Sequence, residues 1–173
     1  MADPLAETPG TLSGVARVLV NAGKLDPRLA EELTRTAREQ RRSFVATLMN
    51  TGKIKSDDLA HTLSVALSVP LMDLSAVDLQ RLPQGVIDNK LSSQYQVLVL
   101  SKRGSRLFVA GADPTDQEAM ERIKFATQLT PEWVIVEYDK LAKILEGNTA
   151  SAADQLSALT SEEFEFDVTD DAT

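Results

Sequence analysis

The sequence predicts an α+β fold: an N-terminal bundle of short helices built from a tandem helix-Gly-helix repeat, then a small α+β subdomain with a short sheet. Three observations predict it. An eight-residue frame recurs in the first third of the chain. From Pro70 on, short β-branched apolar runs replace the helical spacing. The charge is also divided: of 26 Asp+Glu against 18 Lys+Arg, eight acids lie from Glu146 onward, where there is no Lys or Arg. Residues 1–145 therefore balance at 18 against 18.

Met1–Gly10 holds Asp3, Glu7 and two prolines and no base. That is the reverse of a basic, then apolar, signal peptide, and residues 1–11 are expected to be a flexible N-terminus. The repeat then begins. Val18-Leu19-Val20-Asn21-Ala22-Gly23-Lys24-Leu25 and Thr47-Leu48-Met49-Asn50-Thr51-Gly52-Lys53-Ile54 share one frame, 29 residues apart. In each copy a glycine can take the left-handed conformation that ends a helix. A helix start follows: Asp26 as cap with Pro27 at the first helical position, and Ser56 as cap with Asp57 and Asp58 in the first turn. Leu29, Leu33 and Ala37 fall on one face, as do Leu59, Leu63 and Leu67. Four helices are predicted, near residues 14–22, 28–42, 43–51 and 57–68, packed as a bundle over residues 12–69.

Residues 70–147 are expected to form the α+β subdomain. Leu71–Leu74 reads as a short strand, and Pro83–Leu91 as a helix with Pro83 in its first turn. Tyr95–Leu100 and Arg106–Ala110 read as a hairpin around Lys102-Arg103-Gly104-Ser105. Asp113-Pro114-Thr115 is a turn before a helix near Asp116–Leu129, with Met120, Ile123 and Thr127 inward. Glu132–Tyr138 reads as a strand, and Asp139 as the cap of a last helix ending at Gly147. Residues 148–173, acidic and rich in Ser, Thr and Ala, are expected to be a disordered linker. A short helix over Ala152–Leu159 is the alternative.

Chemistry is sparse. No Cys means no disulfide, no thiol nucleophile and no cysteine-bound zinc. One His excludes a multi-His metal site, and His61 falls on the exposed side of its helix. A charge-balanced body does not suit bulk nucleic-acid binding. No apolar run approaches the roughly 20 residues of a membrane span. There is no phosphate-cradling glycine loop and no nucleophile elbow. Asp113 and Asp116 are explained by turn formation and helix capping rather than by a metal. No catalytic, cofactor-binding or metal site is expected, so the chain reads as a binding module rather than an enzyme. Arg35, Arg38, Arg41 and Arg42 make a basic end to the second helix. They complement its dipole, and an acidic partner or phosphate is the sharper alternative. Leu12, Val15, Val18 and Phe44 are the apolar docking candidates beside that cluster.

In this order the tandem frame, Tyr95–Leu100, Arg106–Ala110 and Ala112-Asp113-Pro114 resemble the N-terminal domain of type II secretion and type IV pilus assembly ATPases, the pilus-extension (PilB-type) branch above all. The resemblance covers about residues 12–147. It implies a regulatory and docking domain joined by a linker to a hexameric P-loop ATPase core, which this sequence does not reach. The fragment itself would be a monomer. It implies a PilZ-type adaptor and the cytoplasmic ring or inner-membrane platform of the pilus machine as partners. Localisation would be cytoplasmic, at the inner-membrane face through those partners, without membrane insertion. Some family members bind cyclic di-GMP on the tandem unit, called MshEN, through a motif resembling R-L-G-x-x-L-V-x-x-G. Leu19, Val20, Gly23, Leu48 and Gly52 match these positions, Met49 stands where the motif has Val, and Leu59 and Leu63 match two leucines further along the same motif. The opening R-L-G is Gly14-Val15-Ala16 in one copy and Ser43-Phe44-Val45 in the other. Loss of both arginines removes charge-assisted donors to phosphate, so the resemblance implies an eroded ligand motif.

Overall fold

The computed structural model describes Leu12 and residues 14–163. The expected flexible N-terminus, residues 1–11, lies outside the described residues, as does the end of the acidic segment, 164–173. Four helices come first: α1 (Gly14–Asn21), α2 (Pro27–Glu39), α3 (Phe44–Thr51) and α4 (Ser56–Leu67). Helix α5 (Asn89–Tyr95) leads into strands β1 (Val97–Arg103) and β2 (Arg106–Gly111). Helix α6 (Gln117–Thr127), strand β3 (Thr130–Ile135) and helix α7 (Tyr138–Glu163) complete the chain.

The two repeats fold alike. Gly23 and Gly52 are left-handed, at φ 70° and 67°. In the first copy the amides of Gly23 and Lys24 donate to Val20 and Leu19 at 3.1 and 2.9 Å, the double closure of a Schellman end. Asp26 accepts from the amides of Arg28 and Leu29, with Pro27 beside it. Lys24 in the first loop pairs with Asp58 on α4 at 3.3 Å, tying one copy to the other. Leu19, Leu48, Leu59 and Leu63 are fully buried and form the centre of the bundle.

One cap differs from expectation. Ser56 is the first residue of α4, and Lys55 precedes it without a side-chain bond. The Ser56 hydroxyl instead accepts from the Asp139 amide at the start of α7, at 3.2 Å. Ala112, Ile135 and Tyr138 also join the helical core, so both halves pack on one another.

The sheet has the order β1-β2-β3. β1 and β2 are antiparallel with a register shift between Val99 and Ser101. β2 and β3 are parallel, with Val109 opposite Trp133, and α6 is the crossover between them. Alternation assigns the faces. Val97, Val99, Leu107 and Val109 pack with Ile123 of α6. Leu98, Leu100, Phe108 and Ala110 face Leu141 and Leu145 of α7.

Several sequence expectations are corrected. Leu71–Leu74 is not a strand: Leu71 makes one isolated bridge with Ile135, and Leu74 opens a single 3-10 turn. Pro83 begins no helix. α5 starts at Asn89, where Asp88 accepts from the Leu91 amide at 2.6 Å, so the Asp cap outweighs the proline signal. Tyr95 ends α5 and Gln96 is its left-handed cap, which moves the strand start to Val97. Ile123 is buried as expected, but Ala119 is its buried neighbour on α6, whereas Met120 and Thr127 are half-exposed. α7 does not end at Gly147. It runs to Glu163, so residues 148–163 are helical where composition suggested a linker. High-propensity Ala, Leu and Gln residues continue the helix once the packed turn of Leu141 and Leu145 has nucleated it.

Candidate functional site

Two grooves meet where the helical repeat touches the sheet. The smaller, about 520 Å³, is lined by Gly14, Val15, Val18, Thr34, Ala37, Phe44, Leu67, Asp113 and Thr115. It holds the N-terminus of α1 and the start of α3, the two places where the tandem motif opens. Gly14 has φ 62°, and a Cβ there would lie 2.7 Å from the Thr115 hydroxyl. The Asp113-Pro114-Thr115 turn thus approaches α1 closely. Asp113 accepts from the Thr115 amide at 2.9 Å and from its hydroxyl at 2.5 Å. Burial raises the Asp113 carboxyl above its ordinary value, and the two Thr115 bonds oppose that shift without cancelling it. Asp116 caps α6 by accepting from the Ala119 amide at 3.0 Å. Among the described residues no cluster of three metal-ligating side chains occurs.

The larger groove, about 820 Å³, lies between the α2–α3 corner, the C-terminal end of β2 and one side of α7. Arg41, Arg42, Tyr95, Trp133, Tyr138 and Glu146 are among its lining residues. Trp133 packs against Gly111, where any Cβ would run into the indole ring. Among the described residues the buried indole N–H finds no acceptor. Burial raises the Tyr138 phenol, and the nearby Arg42 pulls it the other way.

The docking candidates separate. Leu12 and Val15 are buried, at 6% and 2% exposure, so they are core residues rather than exposed docking residues. Val15 reaches a groove only as part of its floor. The helical spacing that marked them as apolar is the spacing of a core-facing stripe. Val18 and Phe44 are half-buried, packed on the same core, and both line the smaller groove. Arg38, Arg41 and Arg42 are exposed, and the last two line the larger groove.

The motif positions also divide. Leu19, Leu48, Leu59 and Leu63 are core, Val20 and Met49 pack against it, and Gly23 and Gly52 are exposed helix ends. They build the scaffold and do not line either groove. Sequence reading missed Trp133 and Tyr138 as groove residues. The chain's lone Trp, with Tyr138 five residues on, was the available signal, but both fit a strand equally well.

A family model for the MshEN domain matches residues 67–155. The matched stretch is the α+β half and most of α7, and the tandem helices precede it. The type IV pilus assembly ATPase PilB of Pseudomonas aeruginosa (strain PAO1) is 33% identical over 148 residues, covering 86% of this chain and 26% of that protein. PilB of Acinetobacter baylyi (strain ADP1) is 33% identical over 138 residues, covering 80% of this chain and 24% of that protein. The chain therefore spans about a quarter of the length of these relatives. Two solved structures share the fold. MshE with cdg has a TM-score of 0.56 at 23% identity, covering 78% of this chain and 98% of that one. The N-terminal domain of XpsE has a TM-score of 0.61 at 21% identity, covering 76% and 91%. These matches reach the N-terminal part of such ATPases and not their catalytic core, so this chain is not itself the ATPase. With an α+β unit stacked on a helical bundle and a family model spanning half its length, the chain belongs to the MshEN domain family.

Proposed function

We propose that this chain is the regulatory and protein-docking N-terminal domain of a type IV pilus extension motor, receiving a PilZ-type adaptor or the platform of the pilus machine. The 33% identity to PilB over 86% of the chain supports this most. The geometry is compatible with docking. Val18 and Phe44 are apolar and half-exposed beside three exposed arginines. No helix among the described residues is long and apolar enough to cross a membrane, and the proposed place of work is the cytoplasmic face of the inner membrane, held there by partners. The chain would be monomeric when separate from a hexameric core.

The test is titration calorimetry of the 173-residue chain with a purified PilZ-type adaptor and, separately, with the platform's cytoplasmic domain. Saturable binding to either is expected, weakened at least tenfold by Val18→Glu or Phe44→Glu. Absence of heat and of co-elution with both partners would sink the docking reading.

A second reading has one observation behind it: the fold is shared with MshE, whose structure was solved with cdg, that is, cyclic di-GMP. The smaller groove sits where the tandem motif opens. Its walls offer the carboxyl of Asp113 and apolar surface but no arginine. The phosphates of a cyclic dinucleotide would find no charge-assisted donor there. Calorimetry with cyclic di-GMP is expected to show no binding tighter than millimolar. A micromolar constant would favour the sensor reading instead.

A further inference from the structure

The larger groove collects features that core packing does not require. Arg41 and Arg42 stand exposed on its α2–α3 wall. Among the described residues, no ion pair involves either. Only four described residues other than glycine have a positive φ, and two of them, Arg41 and Gln96, both at 52°, line this groove. Residues with a Cβ are held there against a conformational preference, and such strain gathers at ligand clamps and other functional sites. The lone Trp133 belongs to the same lining. At about 820 Å³, the groove falls in the roughly 300–1,000 Å³ range of clefts that bury a ligand. It has room for a few residues of extended chain.

The charges select the ligand. A guanidinium presents a planar fork of donors that matches an oxyanion, so the arginine wall calls for a carboxylate or a phosphate. The rest of the lining chooses between them. Asp113 and Asp116 follow the end of β2, held by Thr115 and by the start of α6. Glu146 is exposed on the α7 side and enters no ion pair among the described residues. Tyr138 lies within electrostatic reach of both Arg42 and Glu146, which do not pair with each other. The groove therefore carries both signs across its width. A ligand that is anionic along its whole length, such as a nucleic-acid strand, a polyphosphate or a lipid headgroup layer, is drawn to one wall and repelled by the other. A peptide can set a carboxylate on the arginines and an ammonium beside Glu146.

We propose that the larger groove binds an extended acidic segment of another protein, with a carboxylate of that segment forked by Arg41 and Arg42 and a basic residue beside Glu146. The pairing is electrostatic, so it weakens with salt. This site is separate from the surface of Val18 and Phe44, and it holds or fails independently of adaptor docking there.

The test reads the fluorescence of Trp133, which as the only Trp reports on the groove. The 173-residue chain is titrated with the acetylated peptide Gly-Ser-Glu-Ala-Glu-Ser-Lys-Gly-amide, with a counterpart carrying Gln in place of Glu, and with inorganic tripolyphosphate. Saturable binding of the acidic peptide is expected, at least tenfold tighter than that of either other probe, and falling as NaCl rises from about 50 to about 500 mM. Arg41→Gln/Arg42→Gln should weaken it at least tenfold. Lys102→Gln/Arg103→Gln, which removes the same charge from the exposed end of β1, should leave it unchanged. A peptide with Glu in place of its Lys should bind the unaltered chain less tightly and regain its affinity on Glu146→Lys. Far-UV circular dichroism checks that each variant folds, and the charge swap at Glu146 tests the site without touching the strained corner. No saturable binding of the acidic peptide overturns the proposal, as does binding that survives loss of the arginines. Equal or tighter binding of tripolyphosphate overturns it by showing a general anion site. Self-association that Arg41→Gln/Arg42→Gln abolishes overturns it too, by assigning the groove to a second copy.

Discussion

Gly23 and Arg41 occupy the same place at two helix ends. Each is the left-handed residue after the cap, and each end closes with the same pair of bonds. At α2 the Arg41 and Arg42 amides donate to Arg38 and Ala37 at 3.3 and 2.9 Å. The left-handed region disfavours a Cβ by about 1 kcal/mol. Arg41→Gly is therefore expected to raise stability by about 0.5–1 kcal/mol, and Gly23→Ala to lower it by about 1 kcal/mol, both read as shifts in the urea midpoint. Asp113 belongs to the same scale. Burial is the largest influence on it, and its folded-state carboxyl binds a proton more readily than the unfolded one. In the pH window just above 3.8 the folded state thus holds more proton than the unfolded. The contribution of this group to stability declines as pH rises through that window. Asp113→Asn should remove that decline, visible as a flatter dependence of urea midpoint on pH just above 3.8.

At the scale of elements, the helical repeat was legible because glycine ends and Asp26-Pro27 fix helix boundaries locally. The hairpin was legible because Val97–Leu100 and Leu107–Ala110 alternate between two apolar faces. What escaped was decided by distant contacts. Leu71 looked like a strand but has a single bridge, because its neighbour Ile135 ends β3. Ser56 looked like a cap, yet its hydroxyl serves the start of α7, 83 residues away. The apolar docking candidates divide between core and half-exposed positions for a similar reason. Spacing marks Leu12, Val15 and Val18 as one apolar series but cannot say which end meets solvent. α7 carries the prediction at this scale. A chain ending at Gly147 should lose ellipticity at 222 nm equivalent to about 16 helical residues while keeping most of its thermal midpoint, because Leu141 and Leu145 lie before the cut. Unchanged ellipticity would show that residues 148–163 are not helical in solution. Leu141→Ala, by contrast, should cost about 2–5 kcal/mol.

At the scale of the molecule, the two halves are joined by few but varied contacts. The apolar contribution comes from Ala112, Ile135 and Tyr138 in the bundle core. The polar contribution is the Ser56–Asp139 bond. Lys140 adds a clamp at the root of α7, pairing with Asp73 at 3.0 Å and Glu137 at 2.5 Å. Those carboxylates raise the Lys140 ammonium above its ordinary value, so the clamp persists at every physiological pH. Because the join is apolar at its centre, the halves are expected to unfold together. The lone Trp133, in the sheet, and the far-UV signal of the helices should give coincident urea transitions. Two separated transitions would mean independent halves.

The length of α7 has a mechanical consequence. Its 26 residues make a rod of about 39 Å, gripped at one end by Ser56 and the Lys140 clamp. Much of the remainder carries exposed side chains, Leu156 and Leu159 among them. Such a rod is a lever. A tilt of about 5° at Tyr138 would displace Glu163 by roughly 3 Å, so a small repacking against the sheet would arrive amplified at whatever α7 is joined to.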